Sequence, residues 1–382
     1  MTDAQTIHLR KPKPFKPLAK RLMKSVTTLV TIAASVVLAA SAQAQVEINI
    51  SGAVAFRDTG YRATRALFGA NLISQNPADG PSTPTALKVT WTGKIPALFA
   101  DQTVTVRAFY NGAVAGIQDL TQNRNVSFLA SSTAGETNTI SLQSDIAYSS
   151  VFQQSTEFRT PVLQDTRFGA TPITIVKSSS APAGINNITT HQLKTLAANG
   201  SVPAWFLTGN TNDTQTIYFI TRDPTAGQRV ALFKEALYTG NPISYQWNTN
   251  SQSFVNDPTG RNAAQIVTHL NNYGPAISYL VTADAANVNG GQNILSYNGA
   301  RPFVGNYSPL GNDYSPVIDG QYSLWVYEHL LNRASASANV VAFRGALIAA
   351  IQAELLASAN SLPLSRLNVE RTADGAPVAP LQ

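Results

Sequence analysis

Short apolar and β-branched runs alternate along this chain with stretches of helical spacing. Val46-Glu47-Ile48-Asn49-Ile50 has the period-two alternation of a strand, and Ser51-Gly52-Ala53-Val54-Ala55-Phe56 leads out of it. From Asp58 the spacing turns helical through Tyr61, Arg65, Leu67 and Phe68, before a loop from Gln75 to Pro84 rich in Asn, Pro, Gly and Ser. Leu87 to Trp91 and Thr103 to Tyr110 are β-branched and aromatic, and predict strands. Asn111-Gly112-Ala113-Val114-Ala115-Gly116-Ile117 reads as a turn of small residues, with a helix expected from near Gln118.

The same order of strand, turn and helix recurs downstream. Asp145 to Ser150 forms a third strand-to-turn junction, and Pro172 to Val176 a further strand. Thr190 to Leu196 is a short helix capped by Thr189 or Thr190. Thr216 to Ile220 is a strand, followed by the turn Thr221 to Arg229 and a helix from Val230 to Leu237. Later strands are expected at Ala276 to Val281 and Tyr322 to Tyr327, and a last helix from Val340 to Ala357. After Ser361 no periodicity remains, which reads as a loose terminus. Strands alternating with helices predict an α/β architecture.

The N-terminal stretch changes the meaning of the composition. Seven basic residues from Arg10 to Lys24 precede an uncharged run from Ser25 to Ala40 and then Ala42-Gln43-Ala44, the pattern of a secretory signal cleaved after Ala44. The run is short for a membrane span, which needs about 20 apolar residues, so residues 1–44 are expected to leave as a signal peptide and not to persist as an anchor. Of the 27 Lys+Arg, seven lie in this segment, and of the 21 Asp+Glu only Asp3, which leaves 20 of each. The formal charge of +6 therefore belongs to the removed segment. Nucleic acid and acidic membranes lose their support as partners, and no membrane insertion is expected after cleavage.

The remaining 338 residues exceed the size at which a single core stops growing, so two lobes are expected. The chain has no cysteine, which excludes disulfides, lipid attachment at a cysteine, thiolate metal sites and thiol nucleophiles. His191, His269 and His329 are widely separated, without the i, i+4 spacing of a helical metal pair. No G-x-S-x-G elbow, S-x-x-K or P-loop lysine signature occurs, so enzymatic activity is unmotivated and no cofactor is implied.

The strand-to-helix turns are the sequence's chemical resource, because a helix start presents unpaired amides to an anion. The sharpest is Arg222-Asp223-Pro224-Thr225-Ala226-Gly227-Gln228, where a guanidinium beside a glycine-containing helix start can add a charge-assisted contact. This turn, together with Ser51 to Phe56, Gly112 to Ile117, Asp145 to Ser150 and Ala276 to Tyr279, occurs in the order found in the phosphate-binding proteins of bacterial ABC importers, and the chain resembles a divergent member of that family. The resemblance implies a type II, two-lobed periplasmic-binding-protein-like fold with its ligand cleft between the lobes. It implies lobe I from residues 45–158 and again from 316–382, lobe II from 159–315, a periplasmic or secreted location, and an ABC-transporter permease as partner.

Carried over residue by residue, the resemblance gives Ala55 and Phe56 in the first loop, Gly112 and Ala113 in the second, and Ser149 and Ser150 in the third. Arg222, Ala226, Gly227 and Gln228 supply the fourth. The family's hydroxyls stand here as Ala55, Ala113 and Ala226, its threonine as Gln228 and its loop aspartate as Ser150. Each lost hydroxyl removes a hydrogen bond worth about 1.5–3 kcal/mol to a charged ligand. The expected ligand is accordingly a small anion such as phosphate or another polar solute. The alternative is a structural or adhesive surface protein that kept the fold and lost the ligand.

Overall fold

Central strands buried on both faces organise the molecule, as expected where parallel strands are covered by helices. The computed structural model describes residues 45–78, 80 and 83–381. The expected signal segment, residues 1–44, lies outside them.

The main sheet comprises β1 (Val46–Gly52), β2 (Leu72–Asn76), β3 (Lys88–Lys94), β4 (Thr103–Phe109), β5 (Ile146–Ser149), β6 (Gln164–Lys177), β7 (Ser201–Pro203), β8 (Thr216–Phe219), β9 (Ala276–Val281), β10 (Trp325–Asn332) and β11 (Leu362–Pro363). Their order is β7-β8-β9-β6-β10-β5-β1-β4-β3-β2, with β11 paired to β6 off this path. β1 pairs in parallel with β4 and β5, and β8 in parallel with β9, whereas β6 is antiparallel to both β9 and β10.

The long strand β6 joins the two halves. Gln164 to Pro172 pairs with β10 in the half that holds β1 to β5, and Ile173 to Lys177 pairs with β9 in the other. Only Pro172 to Val176 is legible as a strand in the sequence. The preceding residues lack apolar alternation, and Gly169 fits there because a side chain would press on Leu355 and Glu328.

The helices that matter for the site are α1 (Arg57–Phe68), α2 (Ala113–Thr121), α3 (Thr190–Asn199), α4 (Gly227–Glu235), α5 (Ala263–Asn272) and α6 (Ala338–Leu356). Two helix starts and one strand differ from expectation. α2 begins at Ala113 and not near Gln118, because its small residues are needed for close packing: a Cβ on Gly116 would lie 2.7 Å from Gly52 Cα. α4 begins at Gly227 and not at Val230, and the last long strand is Trp325–Asn332 and not Tyr322 to Tyr327. Among the described residues α6 is the one helix long and apolar enough to cross a membrane by length and composition. Its Val340, Phe343, Leu347, Ile351 and Leu355 are buried, and it packs against α1 and β6.

The segment after Ser361 is fastened and not loose. Leu362, Leu367, Val369, Arg371 and Asp374 are buried, and Arg371 lies over the Trp325 ring at 4.4 Å. Its guanidinium donates to Ser323 O and to Glu235 Oε2, and Asp374 accepts from the Phe152 amide at 2.9 Å. These contacts are nonlocal, which is why no sequence period announces them.

Candidate functional site

The carboxyl ends of β1, β4, β5 and β8 converge, the position at which open α/β sheets place their ligands. Each is followed by a tight turn, and three of those turns open directly into helices. α1 follows β1 through Ala53 to Phe56, α2 follows β4 through Tyr110 to Gly112, and α4 follows β8 through Ile220 to Ala226. None of these three helices has a capping side chain, whereas α3 and α5 carry full capping boxes from Thr189 with Gln192 and Asn262 with Gln265. Gly112 and Ala226 stand at the N-caps of α2 and α4, so the first amides of these helices have no side-chain cap.

Between these turns lies a cavity of about 330 Å³. One half of the molecule contributes Ala53, Val54, Arg57, Leu87, the turn Phe109 to Ala113, and Ser150. The other contributes Arg222, Asp223, Thr225 to Gln228, and Asn262 to Ala264. Arg222 is 2% exposed, and its Nε and Nη1 have no hydrogen-bond partner in the protein. Its nearest carboxylate, Asp223, lies 3.9 Å from Nη2 and is already engaged by the Thr225 amide and hydroxyl. Arg57 reaches Asp284 on the other half at 3.7 Å. Burial pushes the Asp284 carboxyl up, against the pull of Arg222 and Arg57.

The two halves touch at the helix starts. The Val114 amide of α2 donates to Thr225 O at 3.0 Å, so one amide at the start of α2 is occupied by a backbone carbonyl of the other half. Gly227 faces Ala113 and Ser150 so closely that an added Cβ would lie 2.2 Å from Ser150 Oγ. Gly112, at φ +115°, faces Thr225, whose Oγ1 would lie 2.7 Å from an added Cβ, and only glycine adopts that backbone without strain. Ser150 Oγ is buried and has no hydrogen-bond partner.

Two halves, one long strand shared between them and a cavity at the strand ends define the architecture. The fold is that of a two-lobed periplasmic binding protein. A solved structure from Clostridium perfringens, described as a phosphate ABC transporter substrate-binding protein with bound phosphate, superposes with a TM-score of 0.53 at 12% identity. It covers 83% of this chain and 99% of that one. An ABC-type phosphate transport receptor from Vibrio cholerae gives a TM-score of 0.49 at 15% identity over 80% and 95% of the two chains. No protein-family model and no curated protein sequence matches the chain. At such identities the likeness concerns the fold alone.

Within this binding-protein fold, seven of the residues singled out in the sequence line the cavity: Gly112, Ala113, Ser150, Arg222, Ala226, Gly227 and Gln228. Three lie elsewhere. Phe56 is buried against Phe168 and Tyr148, with ring centroids 5.8 and 6.4 Å away. Ala55 packs on the hydrophobic core, and Ser149 exchanges hydrogen bonds with Val151. Arg57, Asn111, Asp223 and Asn262 line the cavity and were not singled out. For Arg57 a signal was present, a cation at the start of the first helix. Asn262 sits on a loop brought beside Arg222 by the pairing of Arg222 with Arg261, which no motif encodes. Among the described residues no group of three or more His, Asp or Glu side chains is placed to hold a metal ion.

Proposed function

We propose that this chain is an exported solute-binding-like protein that holds a small anion or other polar solute in the cavity between its lobes, with Arg222 as the anchoring cation. The observation that carries this reading is Arg222 itself: a buried guanidinium with two unpartnered nitrogens, lining a cavity at the strand ends. Leaving such donors unpaired is costly, and an acceptor in the cavity would satisfy them. The proposal extends to lobe boundaries at residues 45–158 with 316–382 and 159–315, a periplasmic or secreted location, and delivery to an ABC-transporter permease. It also takes the protein to be a binder and not an enzyme.

Calorimetric titration with phosphate, sulfate and organic anions tests it. An anion bound by the wild type should lose about 2–5 kcal/mol in Arg222→Ala, since removing one partner of a buried charge pair leaves the other unpaired. Arg222→Lys should also weaken binding, because an ammonium does not reproduce the planar fork. Equal affinity in wild type and Arg222→Ala overturns the proposal.

A second reading has its own support. The hydrogen bond from Val114 to Thr225 and the contact of Gly227 with Ser150 close the lobes without a solute. A structural or adhesive protein that kept the fold would use such a latch. It predicts no measurable heat with any of the anions.

A further inference from the structure

We infer that the cavity selects a small carboxylate with an apolar body over an inorganic tetrahedral oxyanion; this rests on the reading above that the cavity holds a solute. Three features of the cleft point the same way.

The first is the supply of donors. A fully desolvated tetrahedral dianion presents four oxygens, each of which must be satisfied. The Val114 amide is already given to Thr225 O, and the contact of Gly227 with Ala113 and Ser150 closes the space between the starts of α2 and α4. The Asn111 side chain is engaged on both atoms, accepting from the Gly52 amide and donating to Asp119, and Asn262 Oδ1 caps its own helix. Arg222 Nε and Nη1 and the Ser150 hydroxyl remain as buried groups without partners. The planar Arg222 guanidinium is the buried cation among them, and its shape matches a two-oxygen group.

The second is charge. Arg57 and Arg222 face Asp223 and Asp284, so the charges around the site nearly cancel before any solute enters. A single negative charge leaves a smaller unbalanced burden in a buried site than a double one.

The third is shape and wall chemistry. At roughly 30 Å³ per water, 330 Å³ holds about eleven waters, more than a five-atom anion fills. Much of the remaining wall is apolar, formed by Val54, Leu87, Phe109 and the alanines at 53, 263 and 264, with Leu87 half exposed on it. An apolar body seated there is removed from water.

The test titrates the purified protein near pH 7 with inorganic phosphate, acetate, butanoate and benzoate. Butanoate and benzoate should bind at least about tenfold more tightly than phosphate, with about fourfold gained per methylene from acetate to butanoate. Arg222→Gln should abolish binding of each. Ala263→Leu, which narrows the cavity, should weaken benzoate and butanoate more than acetate, and the exposed Ala264→Leu serves if the first variant does not fold. Phosphate binding as tight as that of the carboxylates, with the same dependence on Arg222, overturns this inference and leaves solute binding intact. Binding of no probe, or carboxylate binding unchanged in Arg222→Gln, overturns both.

Discussion

Arg222 combines the marks of a residue kept for binding and not for stability. A guanidinium taken out of water and given no hydrogen bond gains little from its distant partner Asp223, and replacing both members of a buried ion pair by uncharged side chains of similar volume is often neutral or stabilising. Arg222→Met combined with Asp223→Asn should therefore leave Tm nearly unchanged or raise it while anion binding is lost, and a Tm drop of more than a few degrees would contradict this. Two other buried groups make the pH dependence specific. Glu328, on β10, has no exposed surface and hydrogen-bonds Thr171 and Ser361, and burial pushes its carboxyl up to about 8. The folded state then binds a proton that the unfolded chain releases near 4.5, so the stabilisation is present below that pH and disappears as pH rises toward 8. Glu328→Gln should flatten the fall of Tm between pH 5 and 8. His269 has the opposite sign: burial, with Arg261 nearby, depresses it to about 4. Its contribution is present above about pH 6.5 and is lost as pH falls toward 4. His269→Phe, placed among Phe254 and Tyr273, should flatten that acid limb in thermal melts.

At the scale of elements, the contact between the starts of α2 and α4 sets how far the lobes close. Gly227→Ala inserts a methyl group where Ser150 Oγ and Ala113 Cβ leave no room, and both neighbours sit on the opposite half. Those neighbours must shift or the halves part there, which strains the hydrogen bond from Val114 to Thr225. Solution X-ray scattering should record a larger radius of gyration for this variant, and identical dimensions would show that the latch does not govern closure. The same contact explains why the sequence misplaces both helix starts. Ala113, Gly116 and Gly227 carry no periodic apolar signal, and their small size answers to neighbours distant in sequence, Gly52 for Gly116 and Ala113 with Ser150 for Gly227. Where a helix follows from local signals the reading is closer: α3 has its cap at Thr189, and α1 begins within a residue of Asp58.

For the whole molecule, the C-terminal segment ties the two halves together behind the cleft. Arg371 reaches Glu235 on α4, and Asp374 holds the Phe152 amide that follows β5. A chain ending at Ser361 should lose these ties along with the buried Leu367 and Val369, and its Tm should fall by well over 5 °C. An unchanged melt would mean that the segment is an appendage. Export belongs to this scale too: mass spectrometry of exported protein should find an N-terminus at or near Gln45, and intact Met1 in the exported pool would refute cleavage.

The sequence by itself determined the α/β class, the order of strands and turns, and the loop that carries Arg222. These follow from short-range causes, namely side-chain periodicity, turn chemistry and helix capping, which any stretch of about ten residues contains. It also indicated seven residues that come to line one cavity, because their turns end strands that lie side by side. Tertiary structure decided the rest. Whether a turn residue faces the cleft or the core depends on the exit angle of its strand, which sends Phe56 inward against Phe168 and Arg57 toward Asp284. The length of β6, the closing of α2 onto Thr225 and the anchoring of Arg371 all rest on partners distant in sequence, paired only once the halves of the sheet have come together.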